Sequence, residues 1–235
     1  MKISRENAIR IQYVIDQLLP PIIRDSKIFM FLPMKLVFRD KSKIFMNFKD
    51  RVFQYDEEEF SKMYEEAASK NEIQGETDLN VRCTNEILNN LIGVDILEVG
   101  CGRGYLAKKM SNRKQIKTVT AADIVILDKI KGDSDAIKYI ESNIENLPFK
   151  DKQFDTVVCT HTLEHVQNLH TAINELRRVT KRRLIIVVPK QRPYKYTFSL
   201  HIHFFPYHWS IEEWFGGVEK STIKDLGDWY YHEDY

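Results

Sequence analysis

Glycine is scarce in this chain, with nine residues in 235. So few leave little backbone free to turn left-handed, and a cluster of them needs a reason. Three cysteines, Cys83, Cys101 and Cys159, share no C-x-x-C spacing and leave one over after any pairing. That argues against a disulfide framework and a thiolate zinc site, and it suits a reducing compartment. Neither charge is in excess: 35 Lys and Arg stand against 34 Asp and Glu, so no global field draws the chain to nucleic acid or membrane. Long apolar runs are missing as well. The best, IFMFLPM between Lys27 and Lys35, has seven residues, where a bilayer span needs about 20. The N-terminus patterns as an amphipathic helix and not as a secretory h-region. A cytoplasmic protein without stable membrane insertion is the expectation.

What is present is concentrated. LEVGCGRGYLAKKM, from Leu97 to Met110, holds Gly100, Gly102 and Gly104 at alternate positions. Ile96, Leu97 and Val99 before them read as a buried strand, and YLAKKM after them as the start of a helix. Strand, glycine turn, helix is how an α/β protein offers backbone N–H groups to a ligand. The dinucleotide fingerprint G-x-G-x-x-G does not fit, because its third glycine would fall on Tyr105.

From Asp95 onward, strand and helix patterns alternate: ILEVG, GYLAKKM, KTVTAAD, AIKYIESN, FDTVVCT, LHTAINELRRV and RLIIVVP. That alternation predicts a parallel sheet. Residues 1 to 90 read differently. Ser4 is placed to cap a helix with Ile11, Val14, Ile15, Leu18 and Leu19 on one face, stopped by Pro20-Pro21. KIFMFLPMKLVF and KIFMNFKDRVFQY are expected to be extended or irregular, while DEEEFSKMYEEAASK and GETDLNVRCTNEILNNLIG are expected to be helical. The division is thus 1–90, a helical or irregular extension capping the acceptor, and 91–235, the ligand-binding domain.

Two stretches are basic. Arg24 to Arg51 carries eight Lys and Arg against three Asp, which reads first as surface charge compensated elsewhere. Arg177 to Lys195 carries eight with no acid, so an anionic substrate is a fair rival there.

Glu98 ends the first strand, Asp123 ends the second, and NIENLPFKDKQFDTVVCTHTLEHV follows. With DILEVGCGRGYLA, AAD and RLIIVVP in order, residues 91 to 190 resemble the class I S-adenosylmethionine-dependent methyltransferases, in the subgroup with "LPF…FD…LEHV" motifs. The resemblance implies a Rossmann-like seven-stranded sheet, mostly parallel with an antiparallel last strand, preceded here by a mainly helical extension. It implies S-adenosyl-L-methionine as cofactor and S-adenosyl-L-homocysteine as product. Gly100, Cys101 and Gly102 would lie under the methionine part, with Glu98 orienting the loop and the cofactor's amino group. Asp123 would hold the ribose hydroxyls and Ile124 would pack on the adenine. Asn143, where many relatives have Asp, and Ile144 would meet the adenine edge. Thr160 and His161 would line the methyl-transfer side, and Tyr64 resembles an aromatic that closes over the cofactor in some relatives.

Transfer to a hydroxyl needs a base, for which His161, His201 and His203 are the candidates. The H-x-H of SLHIHFFPYHW would put both imidazoles on one strand face, but no third ligand has matching spacing, so no metal is expected. A plain aromatic packing patch is the alternative there. Arg192, Tyr194, Lys195 and Tyr196 suit a phosphate or carboxylate beside a ring. The exit CTHT is not the [ND]-P-P-[YF] of many amide-nitrogen methyltransferases, which favours oxygen as acceptor. The expected partner is a small-molecule acceptor, a hydroxyl of a sugar or another anionic metabolite, with no nucleic acid. The alternatives are a nucleic-acid or protein methyltransferase docking through the basic N-terminal stretch, and a lipid methyltransferase.

Overall fold

A computed structural model describes residues 14–68, 76–127, 130, 136–216 and 218–235. The chain divides into two compact units: Met1–Gly75 with Gln191–Phe204, and Glu76–Lys190 with Phe205–Tyr235. The expected cap at Ser4 and the start of its helix lie outside the described residues. Val14–Leu18 forms a π-helical turn.

In the first unit, α1 (Pro21–Arg24), α2 (Lys27–Phe38), α3 (Ser42–Arg51) and α4 (Glu57–Ala68) follow one another, with 3-10 turns at Arg39–Lys41 and Val52–Gln54. α2 and α3 correct the expectation of extended or irregular chain. Ser26 caps α2 by accepting from the Phe29 N–H at 3.4 Å, and Pro33 sits inside the helix without ending it. One proline removes one ladder bond; burial of Met30 and Met34 on the inner face outweighs that loss. The Phe38 and Phe45 rings stack with centroids 3.6 Å apart. α4 opens on a reciprocal cap, with the Glu59 N–H on Asp56 Oδ1 at 2.9 Å and the Asp56 N–H on Glu59 Oε2 at 3.2 Å.

The second unit is built on a sheet of order β3-β2-β1-β4-β5-β7-β6. Its strands are β1 (Asp95–Val99), β2 (Thr118–Asp123), β3 (Ile137–Glu141), β4 (Phe154–Thr160), β5 (Thr180–Val188), β6 (Ser221–Asp225) and β7 (Trp229–Asp234). β7, last in the chain, runs antiparallel to both its neighbours, and the other pairings are parallel. The helices are α5 (Val81–Asn90), α6 (Tyr105–Ser111), α7 (Leu169–Val179) and α8 (His208–Phe215).

Because strand side chains alternate, the uniformly apolar strands feed two cores. Leu97, Val99, Val157, Cys159, Leu184 and Ile186 pack with Ala172, Ile173 and Leu176 of α7. Ile96, Val119, Ala121, Val158, Ile185 and Val187 pack with Cys83 and Ile87 of α5 and Leu106, Ala107 and Met110 of α6. Glu98 shares the parity of Ile96, so its carboxylate enters the second of these cores. The sheet thereby collects the carboxyl ends of β1, β2 and β4 at one edge, where doubly wound folds bind ligands.

Candidate active site

The glycine turn is latched to β2 by its backbone. Gly100 and Cys101 N–H both donate to the Ala122 carbonyl, at 2.8 and 3.1 Å, and Gly102 N–H donates to Asp123 Oδ2 at 2.7 Å. Two of the glycines answer different needs. At Gly100, φ is +80° and a Cβ would come 1.8 Å from Thr162 Oγ1, whose hydroxyl donates to the Thr160 carbonyl at 3.0 Å. At Gly102, φ is +52° and a Cβ would meet nothing within 4 Å. The first glycine makes room for the protein; the second leaves the loop's outer surface bare.

Two acids, Glu98 and Asp123, flank the loop at the ends of β1 and β2. Glu98 lies between Ala121 of β2 and Val158 of β4 and is almost completely buried. Ala107 N–H reaches its carboxylate, and Oε2 is left with no hydrogen-bond partner among the described residues. Burial, helped by the charge of Asp123, holds its carboxyl well above the usual range. Burial raises Asp123 too, against the pull of the N–H groups of Gly102, Val125 and Ile124. Burial pushes up the thiols of Cys101 and Cys159, with Glu98 and Asp123 adding to it at Cys101 and Glu164 at Cys159. Burial thus favours the thiol over the thiolate at both.

His161, just past β4, has φ +50°, a strained value for a residue with a side chain. Its N–H donates to the Val187 carbonyl at 2.9 Å. Its Nδ1 stands 3.5 Å from Glu164 Oε1 and its Nε2 3.6 Å from Asp228 Oδ2. Burial disfavours the charged ring, but the two carboxylates outweigh it and raise its pKa to about 10. Asp228 is fixed in turn by Asn80, whose Nδ2 donates to Oδ2 at 2.7 Å, while Asn80 Oδ1 caps α5 through Cys83 N–H.

Ser142 N–H donates to the Asp123 carbonyl at 2.8 Å, bringing Asn143 and Ile144 beside the end of β2. Asn143 Oδ1 accepts from Glu145 N–H at 2.9 Å, the Ile144 side chain belongs to the core, and Ile124 is half-buried. The second unit therefore gathers Glu98, Gly100, Cys101, Gly102, Asp123, Ile124, Asn143, Ile144, Thr160 and His161. The remaining expected residues belong to the first unit. There Tyr64 packs its ring 5.0 Å from that of Phe60. Tyr194 and Tyr196 are buried, Lys195 pairs with Asp50 at 3.1 Å, and Arg192 is half-buried. His201 is buried, with Nδ1 2.5 Å from Gln191 Oε1. No strand carries His201 and His203, since residues 199–206 lack regular structure, which corrects the expectation of a shared strand face.

Four cations of the basic run that begins in the last turn of α7 are engaged in ion pairs. Arg177 pairs with Glu233 (2.8 Å), Arg178 with Glu175 (2.7 Å) and Asp151 (2.9 Å), Arg183 with Asp234 (2.6 Å) and Lys190 with Asp225 (2.6 Å). Its cations fasten helix, sheet and hairpin together. Thr162, Glu164 and Asp228 were not foreseen as site residues. Glu164 had a signal in its place within LEHV; Asp228, in the hairpin between β6 and β7, had none.

An acid-rich, cation-seeking edge with an orphaned carboxylate suits a ligand bearing a sulfonium and an ammonium, and it opposes a pyrophosphate. Sheet order, glycine loop and acids together define the class I, Rossmann-like methyltransferase fold. Residues 97–188 match the family model described as a methyltransferase domain, and the chain carries a domain of the S-adenosylmethionine-dependent class. S-adenosylmethionine is the cofactor of that class and S-adenosylhomocysteine its product. A tRNA U34 carboxymethyltransferase of Nautilia profundicola is 30% identical over 58% of this chain and 50% of its own length. A ubiquinone biosynthesis O-methyltransferase of Rickettsia bellii is 27% identical over 42% and 43%. The chain spans about half the length of these curated relatives. A solved SAM-dependent methyltransferase of Thermotoga maritima shares the fold, with TM-score 0.52 at 16% identity over 66% of this chain and 88% of that one. Among the described residues, no helix is long and apolar enough to cross a membrane.

Proposed function

We propose that this chain transfers a methyl group from S-adenosylmethionine to an oxygen of a small-molecule acceptor, a hydroxyl of a sugar or another anionic metabolite. The observation that carries the reading is the buried Glu98 Oε2, without a hydrogen-bond partner among the described residues, on the strand that leads into the glycine loop. Glu98 would take the cofactor's ammonium, Gly100 to Gly102 would lie under its methionine part, and Asp123 would take the ribose hydroxyls. The bound cofactor supplies an activated methyl on a cationic sulfur. The chain has to align the acceptor oxygen with it and receive the hydroxyl proton. His161 is proposed as that base, strong because its pKa is high and present as neutral imidazole in a small fraction.

The CTHT exit and the O-methyltransferase relative favour oxygen. The Nautilia relative favours a second reading, in which the acceptor is a tRNA. Incubation with methyl-deuterated S-adenosylmethionine and a cell extract separates the two. Label in the small-molecule fraction is expected; label retained in tRNA, its incorporation falling as salt weakens protein–RNA association, would move the assignment to nucleic acid. Glu98→Gln, which keeps the shape and removes the charge, is the control and is expected to abolish labelling.

A further inference from the structure

The outward face of α2 is apolar where a surface helix is ordinarily polar. At 3.6 residues per turn, Phe29, Phe31, Leu32 and Leu36 share one contiguous arc with Ile28, opposite the fully buried Met30 and Met34. Ile28 is 91% exposed, Leu32 61% and Leu36 60%, and Ile22 of the preceding α1 is 85% exposed. Cations are set into this surface. Lys35 stands within the arc, its Nζ 5.7 Å from the Phe31 ring centroid, and Lys27 and Arg39, at the two ends of the helix, are exposed. From Ser26 to Arg39 the sequence holds no acid.

We infer that α2 is a docking face for an anionic bilayer surface. Its 12 residues rise about 18 Å, well short of a hydrocarbon core of about 30 Å, so the helix lies in the interface and does not cross. Apolar side chains enter the acyl boundary while lysines reach back to headgroup phosphates, a pairing that fits lipid better than the alternatives. A second copy of this chain would bring Lys35 and its neighbours against their own kind. Nucleic acid would engage the cations and leave the isoleucine, leucines and phenylalanines in water. The inference is independent of the proposed methyl transfer.

The test is co-sedimentation of the full chain with vesicles of equimolar phosphatidylglycerol and phosphatidylcholine, and with phosphatidylcholine alone. Binding to the anionic vesicles is expected, weaker in high salt and much weaker on the neutral ones. Leu32→Asp with Leu36→Asp should lower it about tenfold or more without changing thermal stability, since both side chains are already exposed. Lys27→Glu with Lys35→Glu should weaken it while leaving the apolar face intact. No binding to anionic vesicles overturns the inference, as does equal binding to both compositions. A concentration-dependent dimer that the aspartate variant abolishes, with no vesicle binding, would assign the face to a second copy instead.

Discussion

Nε2 of His161, at the end of β4, stands 3.6 Å from Oδ2 of Asp228 in the hairpin between β6 and β7. With Glu164 on the other ring nitrogen, the imidazole is held as a cation between two acids that come from distant parts of the sequence. The consequence for pH has a definite sign. A histidine whose folded pKa is about 10, against about 6.5 unfolded, lends stability that is fully present below about 6.5 and lost as pH rises through 10. Asp228→Asn should remove about 1–2 kcal/mol of stability at neutral pH and little at pH 10. Denaturant unfolding at the two pH values checks this; an equal effect at both would show that His161 is not charged by Asp228.

The same residue sets the expected pH dependence of turnover. If neutral His161 is the base, kcat/KM should climb about tenfold per pH unit from neutrality toward its plateau near 10. A profile already flat at pH 8 would show that neutral His161 is not the base.

Two alanine substitutions in one loop should fail in different ways. Gly100→Ala drives a methyl into Thr162 at a positive φ and should cost about 2–4 kcal/mol of stability. Gly102→Ala meets no protein atom, so it should cost about 1–2 kcal/mol for the left-handed backbone alone. It should nonetheless weaken S-adenosylhomocysteine binding at least about tenfold, because the methyl occupies the surface the ligand needs. Unfolding curves and calorimetric titration of both variants separate the two effects. Equal stability losses with equal affinity losses would contradict this division of labour.

Much of the second unit is legible in the sequence because its information is local. ILEV and RLIIVV are apolar on both faces, as central parallel strands must be, and Gly100 to Gly104 mark a turn before a helix. Asp228 is not legible in that way. It gains meaning only when β7 folds back against β5 and carries the hairpin to the end of β4. Nor is the pairing of Arg177 with Glu233, since the charge of one end of a helix reveals nothing about a carboxylate at the far end of the chain. α2 was obscured for another reason: Pro33 and the dense aromatics suggest extended chain, and packing of Met30 and Met34 decides otherwise.

Arg177 offers a test of that hidden pairing. Its Nε and Nη2 each donate at 2.8 Å to the two oxygens of Glu233, which is fully buried. Tyr231 adds its hydroxyl to Oε2 at 2.5 Å. Arg177→Met should cost about 3–5 kcal/mol, chiefly by stranding the Glu233 charge. Adding Glu233→Gln should return a substantial part of it, which a double-mutant cycle in urea measures. Strictly additive losses would mean that the pair fastens nothing.

Glu98 should behave in the opposite sense, because its carboxyl is buried with only a backbone N–H, that of Ala107, favouring the charged form. Its folded carboxyl lies well above the usual range through burial and the nearby Asp123. Between the unfolded and folded pKa values the native state therefore holds more protons than the unfolded one, and stability falls as pH rises through that window. Glu98→Gln removes that cost, so the free protein should be no less stable at pH 8 than the parent. Its thermal shift with S-adenosylhomocysteine should disappear at the same time. A residue that weakens the empty protein and is needed only for the liganded one is there for the ligand. A loss of stability with the ligand shift intact would instead make Glu98 part of the scaffold and leave the ammonium of the cofactor without its proposed partner.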